Sequence, residues 1–355
     1  MEKEKVRLTQ MVTSAGCAAK IFPDILHEAL KGVNWKTNEH VLVGFDGKDD
    51  AGVYKINDEL ALIHTTDFFT PVVDDPYTFG QIAATNSLSD VYAMGGTPIN
   101  ALNILAFPQK EDINIIKDIL SGGADKANEA EAVVIGGHSV DIPSILYGMA
   151  VTGTIHPSVI KKNDSAKAGD LLILTKGLGT GILNNKLKFG TLDESIYKIL
   201  IGSMTRLNKN ASIAMNRAAA NGCTDITGFG LAGHTMQLAI ASKTAVVIYA
   251  HDLPVLAGAL DAVKENFLTR GDKSNRNYTK DNVVSVGEID KNIEHLLYDP
   301  QTSGGLLICV PEGNANNLLH LLHEEGDEAA KVIGSVEEPN KDIKAGSVIF
   351  DYSHT

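Results

Sequence analysis

Aspartate is concentrated in one stretch of this chain. Asp46, Asp49, Asp50, Asp67, Asp74, Asp75 and Asp90 fall between residues 46 and 96, together with Asn86. On a helix, Asn86 and Asp90 stand at i and i+4 and share one face, while Leu88 and Val91 turn toward a core. Asp67 interrupts the end of an apolar strand, Thr65-Thr66-Asp67-Phe68-Phe69, and Asp49-Asp50-Ala51-Gly52 opens another. Carboxylates at strand ends and on a helix face can converge on a hard cation, whose ligands are oxygens. The competing reading is that Asp favours turns and caps through local hydrogen bonds, and Asp74 and Asp75 suit that reading better.

Glycine-rich segments supply a second kind of chemistry. Thr224-Asp225-Ile226-Thr227-Gly228-Phe229-Gly230-Leu231-Ala232-Gly233-His234 contains G-x-G-x-x-G, which read literally is a dinucleotide fingerprint. Residues 221–225 do not read as the buried parallel strand such a fingerprint needs. A loop that brings Asp225 to a cation, with helix N-terminal amides facing an anion, fits better, and an ordinary glycine turn is the bland alternative. Gly136-Gly137-His138-Ser139 is either a plain turn or a close backbone approach to a ligand, with the hydroxyl on phosphate or ribose. Lys176-Gly177-Leu178-Gly179-Thr180-Gly181 is similar but lacks the Walker A pattern. Asp299-Pro300-Gln301-Thr302-Ser303-Gly304-Gly305 reads as a turn into a strand. Cys17 and Lys20 lie in a small-residue loop, where a lysine could lower the thiol's pKa and hold a phosphoryl group as a point charge; a plain surface cysteine is the alternative.

The elements that must position these residues alternate in type without a strict βαβ rhythm. Strands are expected at Val41–Phe45, Leu60–Thr66, Pro98–Phe107, Ala132–Ile135 and Ile145–Thr154. A helix capped by Asp75 and Pro76 runs to about Met94, and another spans Glu111–Ala130. After the polar stretch Lys161-Lys162-Asn163-Asp164 come strand Leu171–Thr175, helical segments between about 179 and 220, helix Leu231–Ala241, strands Ala245–Tyr249 and Leu306–Val310, and helix Asn314–Glu325. The expectation is an α+β chain of two domains, 41–157 and 158–355, preceded by a segment 1–40 that reads poorly as packed structure.

The 355 residues carry 31 basic and 44 acidic side chains, a net charge of −13. No dense basic run suits nucleic acid, and no apolar run suits a membrane. An acidic protein that binds an anionic nucleotide needs cations between the two. Cys17, Cys223 and Cys309 form neither a disulfide framework nor a CxxC pair, so a reducing, cytoplasmic setting is expected.

In combination, the quoted segments resemble the selenophosphate synthetase (selenide, water dikinase) family across nearly the whole chain. The resemblance rests on Arg7-Leu8-Thr9-Gln10, Gly16-Cys17-x-x-Lys20, Asp49-Asp50-Ala51, Thr65–Phe69, Ile82–Gly96, Gly136–Ser139, Thr224–Gly230 and Asp299–Gly305. It implies the reaction ATP + selenide + water → selenophosphate + AMP + phosphate. It also implies the two-domain fold of aminoimidazole ribonucleotide synthetase, with N-terminal domains pairing into a dimeric β-barrel and ATP at the dimer interface. Carried over by motif, Asp50, Asp90 and Asp225 bind Mg²⁺. Lys20, Lys48, Asp49, Asp67 and Asp90 contact ATP, Gly137-His138-Ser139 serves the partner's site, and Cys17 and Lys20 are catalytic. Many members carry a second cysteine where this chain has Ala19, which puts any two-thiol mechanism in doubt here. Two alternatives remain: a thiamine-monophosphate kinase-like enzyme of the same superfamily, and a non-catalytic nucleotide- or selenium-binding protein.

Overall fold

A computed structural model of the chain describes residues 7–11, 23–44 and 49–354. Cys17, Lys20, Asp46 and Lys48 lie outside the described residues. The first half builds a six-stranded sheet from β1 (Val41–Val43), β2 (Gly52–Lys55), β3 (Ala61–Phe69), β4 (Thr97–Phe107), β5 (Val133–Asp141) and β6 (Leu146–Ile155) in the order β1-β2-β3-β6-β4-β5. Only β4 and β5 pair in parallel; the other neighbours are antiparallel. Helices α1 (Pro23–Leu30), α2 (Pro76–Ala93) and α3 (Ile113–Glu129) belong to this half.

The second half builds a seven-stranded sheet from β7 (Asp170–Leu174), β8 (Gly222–Asp225), β9 (Ala245–Tyr249), β10 (Val283–Val286), β11 (Leu306–Pro311), β12 (Lys331–Glu337) and β13 (Val348–Asp351). Their order is β10-β13-β9-β12-β7-β11-β8. Its helices are α4 (Thr180–Lys188), α5 (Glu194–Thr205), α6 (Lys209–Arg217), α7 (Gly230–Ser242), α8 (Ala259–Lys264), α9 (Arg270–Thr279), α10 (Lys291–Tyr298) and α11 (Glu312–Glu324). Alternate residues of β7 and β11 feed two separate apolar cores: Leu172, Leu174, Leu307 and Cys309 join one, Ile173, Ile308 and Val310 the other. That is the burial expected of a sheet covered on both faces.

The central element is α2. Asp75 caps it, accepting from the Thr78 amide at 2.9 Å, with Pro76 in its first turn. It is buried on nearly all sides, because it lies between the first sheet, α3 and the second domain. The contact with α3 depends on glycine. A methyl on Gly122 would sit 2.0 Å from the Tyr77 carbonyl oxygen, and one on Gly80 2.0 Å from that of Ile119. Alanine normally stabilises a helix interior by about 1 kcal/mol over glycine. Here Gly122→Ala is expected to do the opposite, costing ~1–3 kcal/mol as the helices are forced apart. A lowered urea midpoint would be the sign; a raised one would mean that the helices separate freely.

Three expectations change. Asp74 does not cap; it anchors the start of the described chain, accepting from Arg7 Nε at 2.9 Å and from the Thr9 amide at 3.0 Å. Leu8 beside them is fully buried, so part of the segment 1–40 is packed structure. Gly136-Gly137-His138-Ser139 is neither turn nor loop but part of β5, where a methyl on Gly137 would lie 2.4 Å from the Asn103 carbonyl. Residues 222–225 do form a fully buried strand, but not the parallel one that the dinucleotide fingerprint needs. That strand runs antiparallel to β11 and is the last in its sheet, so the glycines that follow are not the turn of a parallel βαβ unit.

Candidate active site

Three aspartates from different elements meet where the two domains face each other. Asp50 precedes β2, Asp90 lies in the last turn of α2, and Asp225 ends β8 with only 2% of its surface exposed. Each is held by a hydroxyl. Thr224 Oγ1 donates to Asp50 Oδ1 at 2.9 Å, across the domain boundary. Ser89 Oγ donates to Asp225 Oδ2 at 2.6 Å, crossing the same boundary in the other direction. Thr65 Oγ1 of β3 donates to Asp90 Oδ2.

The electrostatics of this arrangement are those of a site built for positive charge. Burial, then the carboxylates of Asp225 and Asp90, push the Asp50 carboxyl well above its ordinary range. Like charges gathered away from water disfavour ionisation until a cation joins them. Among the described residues no three acidic, histidine or cysteine side chains form a ready-made metal cage. Mg²⁺ does not require one: it is usually held by one or two carboxylates, with waters and substrate phosphates completing the octahedron. An all-oxygen, mutually repelling donor set therefore fits Mg²⁺.

Asp49 and Asp67 flank the cluster. Asp49 Oδ1 accepts from the Asn163 amide at 2.6 Å, and burial pushes its carboxyl up against that stabilising bond. Asp67, buried in β3, accepts from Asn86 Nδ2, and its own carbonyl accepts from Ser87 Oγ at 2.8 Å. Asn86 thus earns its place on the Asp90 face of α2 by orienting Asp67.

Gly137, His138 and Ser139 are not brought to this cluster within one chain. Asp67 pairs with Met149, Met149 with Asn103, and Asn103 with Gly137, so one row crosses four strands. At ~4.8 Å per strand the segment stands about 14 Å from Asp67. There it lines an open cavity of about 490 Å³ with Asn103, Phe107 and Ile116.

The remaining glycine motifs resolve into supports. Lys176 is buried, donating to the carbonyls of Arg206 at 2.7 Å and Ser303 at 3.0 Å, and burial lowers its pKa to about 7. It is an internal strut rather than a phosphate ligand. Asp299 Oδ2 accepts from the Gly181 and Ile182 amides at the start of α4, and Gln301 Oε1 from those of Gly179 and Thr180. Thr65, Thr224 and Ser89 lie inside motifs visible in the sequence. Asn163 and Asn208 carried no such signal: an asparagine before a helix reads as a cap, and one in a polar stretch as linker.

Residues 48–155 match the family model described as AIR synthase related protein, N-terminal domain, and residues 167–344 the corresponding C-terminal domain. The chain is 46% identical over 337 residues to selenide, water dikinase of Clostridioides difficile (strain 630), covering 95% of this chain and 97% of that protein. It is 45% identical over 341 residues to the protein of the same name from Pelobacter propionicus, covering 96% and 98%. Among solved structures, AaThiL complexed with AMPPCP and TMP superposes with a TM-score of 0.66 at 20% identity, covering 92% of this chain and 91% of that one. Hydrogenase maturation protein HypE in complex with ATP gives 0.64 at 19% identity, covering 89% and 87%. These structures share the two-domain fold.

Proposed function

The chain belongs to the selenide, water dikinase family of AIR synthase related proteins, and from that premise we propose that the Asp50–Asp90–Asp225 cluster is where it cleaves ATP. The enzyme converts ATP, selenide and water into selenophosphate, AMP and phosphate, supplying selenium for selenocysteine and selenouridine synthesis. The observation that carries the site assignment is the convergence of three aspartates from both domains, with Asp50 pushed well up by burial and then by its neighbours.

Asp50, Asp90 and Asp225 would hold Mg²⁺, which would supply the positive charge needed to neutralise the triphosphate. Asp49, Asp67 and Asp90, with Lys20 and Lys48, contact the nucleotide. Phosphoryl transfer asks for charge neutralisation and in-line placement more than covalent chemistry. Selenide is a strong nucleophile and needs no general base. The new Se–P bond forms as the bond from the γ-phosphorus to its bridging oxygen breaks, leaving ADP. Water then cleaves the β-phosphate, which departs as phosphate and leaves AMP. Lys20 neutralises the γ-phosphate and Cys17 positions the selenide.

The proposed assembly is a homodimer joined through the outer face of the six-stranded sheet. Tyr54, Phe68, Ile99 and Leu102 stand exposed there, and a patch of this kind marks an interface. Pairing two such sheets would close a shared barrel and carry Gly137-His138-Ser139 toward the partner's nucleotide. Phe68→Glu is expected to convert the dimer to monomer in sedimentation; a wild-type protein already monomeric at micromolar concentration would remove the dimer.

The reaction is tested by ³¹P NMR of ATP with selenide. Selenophosphate and AMP are expected; ADP as the sole nucleotide product would instead indicate a simple kinase. ATP binding without selenide-dependent turnover would indicate a binding protein.

A further inference from the structure

Asn208 sits immediately before α6 in the position of a helix cap, yet its side chain makes no cap hydrogen bond. It is 2% exposed and turned into the protein, where Nδ2 donates to Ser89 Oγ at 2.9 Å and to the Gly304 carbonyl at 3.0 Å. Giving up a cap costs helix stability, so the side chain is engaged in something else.

The direction of these bonds is forced. A backbone carbonyl only accepts, so the Asn208 atom facing Gly304 is the amide nitrogen, which only donates. Ser89 Oγ must therefore accept from Asn208. A hydroxyl has a single proton, and with the Asn208 donor on one side Ser89 turns that proton to Asp225 Oδ2, 2.6 Å away. Asn208 thus decides which way Ser89 points, and Ser89 holds one oxygen of Asp225.

A second bridge runs beside the first. Asn86 donates to Asp67 and accepts from the Ser303 amide at 2.9 Å. Consecutive residues of the 299–305 loop, Ser303 and Gly304, thus receive one asparagine from each domain, and each asparagine leads to an aspartate of the site. The loop itself is fixed by Lys176 on the Ser303 carbonyl and by Thr180 Oγ1, which accepts from the Thr302 amide at 2.9 Å.

We propose that Asn208 is a positioning residue for the ATP-cleaving site, acting through Ser89 to fix the Asp225 carboxylate against the Gly304 carbonyl. The proposal rests on the reading of Asp225 as a metal ligand. Partners of this kind orient ligating groups, and their loss typically costs ~10–100-fold in metal affinity.

The test is Mn²⁺ binding, followed by electron paramagnetic resonance with a non-hydrolysable ATP analogue present, in the full-length wild type, Asn208→Leu, Ser89→Ala, the double variant and Asp225→Ala. Thermal midpoints without metal serve as the fold control. Asn208→Leu is expected to weaken Mn²⁺ about 10-fold or more. The double variant is expected to be no weaker than Ser89→Ala alone, within about two-fold, because both changes break one relay. Wild-type Mn²⁺ affinity in Asn208→Leu, or multiplied losses in the double variant, overturns the relay when Asp225→Ala has lost affinity. Wild-type affinity in Asp225→Ala overturns the ligand reading and the relay with it. If Asn208→Leu does not fold, Asn208→Asp keeps the side-chain shape and replaces the donor with an acceptor. The added negative charge by itself would tighten a cation, so weaker Mn²⁺ binding supports the relay and tighter binding overturns it.

Discussion

Asp225→Ala is expected to cut selenide-dependent ATP consumption by at least ~10²–10³-fold, the scale of removing a preorganised electrostatic group, while leaving the fold intact. The backbone of Asp225 is secured by β8, whose register with β11 pairs Asp225 with Leu306 and does not involve the carboxylate. The side chain contributes negative charge to a cluster already burdened with it: Asp225 is the first of the neighbouring carboxylates that push Asp50 up. Removing it relieves that repulsion and takes an acceptor from the Ser89 hydroxyl. The metal-free thermal midpoint should stay close to wild type while turnover collapses. A variant that turns over normally would take Asp225 out of the metal set. A variant that unfolds would assign it a structural role instead.

Cys17→Ser is expected to lose selenophosphate formation while ATP binding persists. Cys17 lies outside the described residues, so this prediction rests on chemistry and family membership. A serine hydroxyl is nearly isosteric, but it does not ionise near neutral pH and has little affinity for selenium, whereas a thiolate is a soft nucleophile. The nucleotide contacts proposed for Asp49, Asp67 and Asp90 are untouched. The loss should therefore fall on product formation at saturating ATP, with ATP affinity measured by calorimetry unchanged. With Ala19 in place of a second cysteine, no neighbouring thiol on this loop can substitute. Unchanged product formation would demote Cys17 to a spectator.

The sequence by itself carried the family, the α+β class and the residue types of the site, because those reside in local pattern. Asp75-Pro76 announces α2, a β-branched and aromatic run announces β3, and Asn86 and Asp90 share a face by helix period alone. Local pattern could not say that residues 222–225 form a buried antiparallel strand, since four residues of Gly-Cys-Thr-Asp have no strand periodicity and owe their place to pairing with β11. Nor could it show that Gly137 is a strand residue pressed against Asn103, because two adjacent glycines look like a turn wherever they occur. Asp74 and Asn208 were hidden for the same reason: both are good capping residues, and only contacts 65 and 119 positions away reveal what they hold. The tertiary structure decided which acids repel one another across the domain boundary, and which amide and hydroxyl groups lock them in place. Those are long-range contacts, set by how two sheets and α2 pack, and no spacing along the chain encodes them.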